Sequence, residues 1–253
     1  MKYYFRFMIV AVVCGILCVV GFSVTGKEFT ASGVIGAFGM SEIDYYLPCL
    51  SSTTQWIIPL ILFQVFFGTY IYRHFCTASV YYFSRNTNRI KWLSYEMIKL
   101  YVFCILYLVI MVITGLVVCG LLANLKLDNE MWMKFLLYIT LYSLYLFATT
   151  LAINLISVIS NSSVGFIVVE SFNVFCIVAF TIIGDYFAPN GYLEPRYEWM
   201  IKVNPFSYLV FSTKGVMTDY ITSIIMYAIA AIIFIIAGCV IVNKYSFVEN
   251  YRE

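Results

Sequence analysis

Apolar positions along this chain gather into six long runs: Phe7 to Val24, Gln55 to Tyr72, Leu100 to Leu122, Met131 to Ser157, Val164 to Ile183 and Ile221 to Val242. Each approaches the roughly 20 apolar residues of helix that cross a hydrocarbon core about 30 Å thick. The pattern predicts an all-α, polytopic integral membrane protein with six transmembrane helices, forming a single domain over residues 1–253. Everything between the runs reads as loop. The longest loops are Gly26 to Thr54, Arg73 to Lys99 and Asp185 to Tyr220, and Ala123 to Glu130 and Ile159 to Ser163 are tight connections.

Composition strengthens this reading: 63% of residues are hydrophobic and 11% charged, against about 25% charged in ordinary globular chains. The net charge of +2 matters less than its placement, because short cytoplasmic loops carry an excess of Lys and Arg. With the N-terminus inside, the cytoplasmic segments hold Lys2, Arg6, Arg73, Arg85, Arg89, Lys91, Lys99, Lys244 and Arg252 against Glu96, Glu249 and Glu253, nine positive to three negative. The other side holds Lys27, Lys126, Lys134, Arg196, Lys202 and Lys214 against Glu28, Glu42, Asp44, Asp128, Glu130, Asp185, Glu194, Glu198 and Asp219, six to nine. Both termini are therefore expected in the cytoplasm.

The basic flank of Lys2 and Arg6 before the first run also fits a secretory signal. The region around Ser23 and Thr25 is a poor small-residue cleavage site, however, and the run extends past the usual signal length. It is read as a retained span. Cys14, Cys18, Cys104, Cys119, Cys176 and Cys239 fall inside runs, where cysteine acts as a small apolar residue. Cys49 alone is expected outside and Cys76 inside, so no external pair is available for a disulfide.

Catalytic chemistry is not written in the chain. His74 is the single histidine, which excludes a multi-histidine metal site and HExxH. It reads as a polar residue at the membrane surface. There is no GxSxG elbow, no pair of intramembrane aspartates and no GxxxxGK[ST] phosphate loop. The protein is expected not to be an enzyme, so any nucleotide hydrolysis must take place on another polypeptide.

Ionisable groups inside a membrane cost about 3 kcal/mol or more, so the few polar residues within the runs stand out. Glu170 is the only acid in a run, with Asn173 three residues later on the same helical face. Two readings stand side by side: a translocation path or proton-sensitive site that includes Gln64, Glu170 and Asn173, or interhelical hydrogen bonding of the kind Asn154 and Gln64 also offer. A chain of acids and histidines suited to proton relay is missing.

The segment from Arg73 to Lys99 mixes five basic residues with an aromatic cluster. Val80, Tyr81, Tyr82 and Phe83 form an apolar patch, followed by the polar and cationic Arg85, Asn86, Asn88 and Arg89. Trp92, Glu96 and Lys99 share a helical face at i, i+4 and i+7, predicting an interfacial helix that leads into the third span. Basic residues that snorkel to headgroups explain Arg73, Trp92 and Lys99, and explain Tyr81 to Phe83 less well. In the loop before the last run, EWMIKVNPFSYLVFSTKG is moderately apolar with one Asn-Pro break at Asn204 and Pro205. Such a break ends the helix before it, which predicts two short helices meeting at Pro205 and dipping into the outer leaflet.

These features together resemble the permease subunits of type-2 ATP-binding-cassette (ABC) exporters. The stretch Trp199 to Tyr208, with Asn204, Pro205 and Tyr208, is similar to the external helical hairpin that this family carries between its fifth and sixth spans. Arg85, Arg89, Lys91 and Trp92 resemble the basic, Trp-containing coupling helix between the second and third spans of small permeases associated with antimicrobial-peptide export or self-protection. The resemblance covers the whole topology and rests mostly on it, because Asn-Pro is common. It implies a bacterial cell membrane and an amphipathic or hydrophobic cargo such as a peptide. The implied partners are separate ABC ATPase subunits carrying ATP and Mg, a second permease subunit (identical or homologous) and membrane lipid, with no nucleic acid. No cofactor is expected on this chain itself. Coupling to the ATPase would fall to Tyr81, Tyr82, Phe83, Arg85, Asn86 and Arg89. Many family members begin with an amphipathic helix, whereas only Met1 to Arg6 precede the first run here. Two other classes remain open: a stand-alone channel or secondary carrier, although the broken repeat helices of many carriers are not evident, and a non-transporting membrane subunit that sequesters or senses a peptide.

Overall fold

The computed structural model describes residues 2–23, 29–39, 50–81, 88–122, 125–187, 198–209 and 217–244. These are almost entirely helical: α1 (Lys2–Ser23), α2 (Ala31–Gly39), α3 (Leu50–Phe67), α4 (Tyr70–Tyr81), α5 (Arg89–Leu122), α6 (Met131–Ile159), α7 (Ser162–Phe187), α8 (Glu198–Val203), a 3-10 turn at Pro205–Leu209, and α9 (Met217–Lys244). Five stretches are long and apolar enough to cross a membrane: Ile57–Thr77, Arg89–Leu122, Met131–Ile159, Ser162–Phe180 and Tyr220–Lys244. The first expected span corresponds to α1, whose apolar stretch Phe7–Val19 is shorter than the others. The architecture is that of a membrane-embedded helical bundle.

Helix α6 is its axis. Of its most apolar window 72% is buried within the chain, against 28% for α7 and 17% for α9. Helices α5, α7 and α9 pack against it, as do α3 and α4. Lipid tails are as apolar as leucine, so helices in a bilayer associate through close packing and polar contacts, not through escape from water. Small residues accordingly line the α1–α5 seam, where Ala11 and Cys14 are buried. A methyl group at Gly15 would overlap the Met111 carbonyl.

The long segment Gly26 to Thr54 is not simply a loop, as the hydrophobic pattern suggested. It contains α2, whose Val34, Ile35 and Phe38 are buried against α5 and α6. Nine residues make about 14 Å of helix, too short to register as a span, yet enough to fill a groove. Its entry is fixed by a two-residue parallel ladder in which β1 (Phe29–Thr30) pairs with β2 (Leu125–Lys126). Asp128 then caps α2, its Oδ1 accepting from the Ser32 amide at 2.9 Å. Burial alone would raise the Asp128 carboxyl, but the hydrogen bonds from Ser32 outweigh it and hold the group below its usual range.

The second expected span is interrupted. Helix α3 stops at Phe67, and α4 restarts at Tyr70 after a turn at Gly68 and Thr69. Asn154 of α6 patches the gap: its Nδ2 donates to the Phe67 carbonyl (3.1 Å) and the Thr150 carbonyl (2.8 Å), and its Oδ1 accepts from the Tyr72 amide (3.0 Å). A helix freed of its own ladder needs such side-chain partners in lipid. The i to i−4 ladder continues on both sides of the turn, from the Gly68 amide to the Gln64 carbonyl (2.6 Å) and from the Arg73 amide to the Thr69 carbonyl (2.9 Å), and glycine followed by threonine inside an apolar run gives no breaking signal in the sequence.

Helix α5 is 34 residues long, about 51 Å, which exceeds the hydrocarbon core by about 20 Å. Its charged first turns, Arg89 to Lys99, therefore extend beyond the apolar stretch that starts at Leu100.

Candidate functional site

Two buried polar clusters lie along α7. The first surrounds Asn204, where the chain turns from α8 into the 3-10 turn. Asn204 is 8% exposed, and its Nδ2 donates to the Cys176 carbonyl at 2.7 Å while its Oδ1 accepts from the Phe206 amide at 2.9 Å. Its own carbonyl accepts from the Ser207 hydroxyl at 2.7 Å. The Pro205 carbonyl takes the Tyr227 hydroxyl of α9 (2.8 Å), the Leu209 carbonyl takes the Tyr142 hydroxyl of α6 (3.1 Å), and Tyr208 donates back to the Lys202 carbonyl (2.9 Å). Two short helices do meet at Asn204 and Pro205, as the Asn-Pro signal predicted. Hydrogen bonds tie the turn to α6, α7 and α9.

The second cluster lies deeper. Gly165 of α7 sits so close to α6 that a methyl there would overlap the Ser157 hydroxyl and the Ile153 carbonyl. This contact brings α6 and α7 into close approach at one end of the pair. The same packing brings Tyr145 within electrostatic reach of both Glu170 and Cys176. On the α3 side, Gln64 Nε2 donates to Thr149 Oγ1 at 2.8 Å, and α3 also touches α7. Gln64 on α3 and Thr150 on α6 are 1% and 0% exposed, and Glu170 on α7, 9% exposed, has Tyr145 and Asn173 as neighbours.

Polar satisfaction separates the two clusters. Among the described residues, six buried side-chain polar atoms lack a short, well-aligned partner, among them Gln64 Oε1, Thr150 Oγ1, both carboxyl oxygens of Glu170 and Asn173 Nδ2. Asn173, one turn beyond Glu170, lies beside its carboxyl, so the last two groups pair with each other on α7. Sequence reasoning identified Gln64, Glu170 and Asn173 and missed Thr149, Thr150 and Tyr145, because threonine and tyrosine are ordinary residues of membrane helices. Only the pairing of α6 with α3 and α7 brings them in.

At the basic end of the bundle, His74 is more than a surface residue. Its Nδ1 lies 3.1 Å from Glu96 Oε2, and Lys99 Nζ donates to Glu96 Oε1 at 3.1 Å. Glu96 is 5% exposed, so this pair joins α4 to α5 through a buried acid. Trp92 packs against Phe75 with ring centroids 6.0 Å apart. Arg89, expected to contact a partner, donates from Nη1 to the Val242 carbonyl in the last turn of α9 at 3.3 Å. That contact places a cation at a helix C-terminus, where it is favourable. Tyr81 closes α4; its side chain, with Tyr82, Phe83, Arg85 and Asn86, lies outside the described residues.

No group of three or more His, Cys, Asp or Glu side chains among the described residues is placed to hold a metal ion. No family model, curated protein or solved structure matches the chain.

Proposed function

We propose that this chain is the membrane-spanning subunit of an ATP-driven exporter. In this reading it moves an amphipathic or hydrophobic cargo, such as a peptide, across or out of a bacterial cell membrane with energy from separate ABC ATPase subunits. The observation that carries the reading is the pair of short helices around Asn204 and Pro205 between α7 and α9, at the place and with the Asn-Pro break of the external hairpin in type-2 exporter permeases. The α1 helix is then the first of six spans, and both termini are cytoplasmic. A second permease subunit completes the transporter. ATP-driven closure of the ATPases rocks the two permeases between inward and outward shapes, and Gln64, Glu170 and Asn173 line the cargo path.

Tyr81, Tyr82, Phe83, Arg85 and Asn86 supply the docking surface for the ATPase. Arg89 has a role within the chain through Val242, so its loss also loosens the α5–α9 contact. Aromatic and arginine anchors often contribute about 2 kcal/mol or more on truncation. Replacing Tyr82, Phe83 and Arg85 together by alanine is therefore expected to detach the copurifying ATPase, or to uncouple its hydrolysis, while the permease stays inserted. A triple variant that keeps both the ATPase and full coupled transport refutes the assignment.

A second reading, a stand-alone secondary carrier, is favoured by the interruption at Gly68 and Thr69, since discontinuous helices recur at carrier binding sites. Cargo movement by the chain reconstituted alone, driven by an ion gradient without ATP, would select it.

A further inference from the structure

Glu96 is, with Glu170, one of two buried acids among the described residues, and it gathers its partners from two helices. Its Oε2 lies 3.1 Å from His74 Nδ1 of α4, its Oε1 accepts from Lys99 Nζ at 3.1 Å, and the Tyr70 hydroxyl of α4 donates to it as well. The Tyr70 and His74 ring centroids are 4.4 Å apart, and Lys99 Nζ sits 4.0 Å above the Tyr95 ring. Exposure across the pair is uneven: the Glu96 side chain is 6% exposed and that of His74 47%. The acid is enclosed by the contact, while protons from solution reach the imidazole.

The charge state of that one ring sets how strongly α4 is held to α5. Helix α4 packs on α3, α5 and α6. Helix α3 carries no titratable side chain, and neither does α6 from Thr150 to Ile159. On α4 itself Tyr72 bonds Cys76, and Arg73 is exposed. Tyr70, Glu96 and Lys99 are therefore the titratable groups gathered with His74. Lys99 balances the Glu96 charge whatever the state of the ring. A neutral imidazole donates to the carboxylate only when its single proton sits on Nδ1, whereas an imidazolium donates from both nitrogens, and the charge-assisted bond is roughly twice as strong. The turn at Gly68 and Thr69 separates α4 from α3, so side-chain contacts position α4: Asn154 at its start and Glu96 further along.

We propose that His74 and Glu96 form a proton-operated clasp between α4 and α5, firm when the ring is charged and slack when it is neutral. Bonding to a carboxylate favours the protonated ring, so the clasp holds at acid pH and loosens as pH rises. Histidine ordinarily changes charge between about pH 5 and 8. The clasp stands whether or not an ATPase docks beyond Tyr81, and its test reads helix opening, not transport.

Hydrogen–deuterium exchange of the full chain in zwitterionic nanodiscs, read by mass spectrometry over the α4 peptides, tests it. Protection is compared at about pH 6 and about pH 8 after correction for the intrinsic pH dependence of amide exchange. The wild type is expected to lose about three- to tenfold of its α4 protection between the two. His74 is the single histidine of the chain, and His74→Asn, which keeps a neutral donor near the place of Nδ1, is expected to abolish the difference. Glu96→Gln is expected to do the same, and where it fails to fold, His74→Asn at its half-exposed position carries the assignment. Equal protection of wild-type α4 at both pH values, protection that rises with pH, or a loss that persists in His74→Asn would each overturn the proposal.

Discussion

The Asn204 turn packs on α7 at Cys176 and Glu170 lies on α7 itself; the two are equally buried and have opposite bonding. At Asn204 the side-chain amide nitrogen, the side-chain oxygen and the main-chain carbonyl all have partners, and the turn joins three helices. The Glu170 carboxyl makes no cross-helix hydrogen bond, and Asn173 of its own helix lies beside it. A satisfied buried network rigidifies, and an unsatisfied one costs stability that a purely structural site has no reason to spend. The Asn204 turn therefore holds the bundle together, whereas Glu170 is tied to no second helix.

Substitutions sharpen that contrast, and the largest effects belong to the closed networks. Asn154→Leu removes three hydrogen bonds and strands the Phe67 carbonyl and Tyr72 amide; an orphaned buried group costs about 1–3 kcal/mol, and both are left. It should show the greatest loss of unfolding free energy in detergent titration. Asn204→Ala follows, at about 2 kcal/mol, and a loss under 0.5 kcal/mol would remove the Asn204 turn from the structural side of the comparison. Gly165→Ala forces α6 and α7 apart and is expected to cost about 1–3 kcal/mol, with cysteine crosslinking across the helix pair as a check on the register. Tyr227→Phe loses one bond to the Pro205 carbonyl and should cost about 1 kcal/mol.

The smallest effect is at the α2 entry. The Asp128 carboxyl, held below its usual range by Ser32, stabilises the fold fully above its unfolded value. Its contribution is lost as pH falls through the lower, folded value, because the unfolded chain then binds the proton first. A shallow acid-side decline in melting temperature that vanishes in Asp128→Asn is the expected signature. A decline of the same size in the variant assigns it to other acids.

Much of this arrangement is legible in the sequence, and the gaps have physical causes. The membrane class follows from apolar run length alone, which is why α5, α6, α7 and α9 fall where the pattern puts them. The turn at Asn204 was also visible, because proline removes a donor and constrains its predecessor. Helix α2 escaped because nine residues fall below any spanning length, and the break at Gly68 escaped because its cause is Asn154, 86 positions away in sequence. Glu170 stood out as the only acid in its run, but Tyr145, its neighbour on α6, did not, because that proximity depends on how α6 and α7 pack. His74 and Glu96 were each recognised singly, and their pairing depends on how α4 packs on α5.

The absence of a cross-helix bond at Glu170 is most directly tested by the change in unfolding free energy on Glu170→Leu. An acid whose side-chain hydrogen bond goes to Asn173 of its own helix ties no second helix to α7, so the account predicts a variant as stable as the wild type or more stable. A loss of about 2 kcal/mol or more would show that Glu170 is bonded into the bundle as firmly as Asn204, contradicting the account.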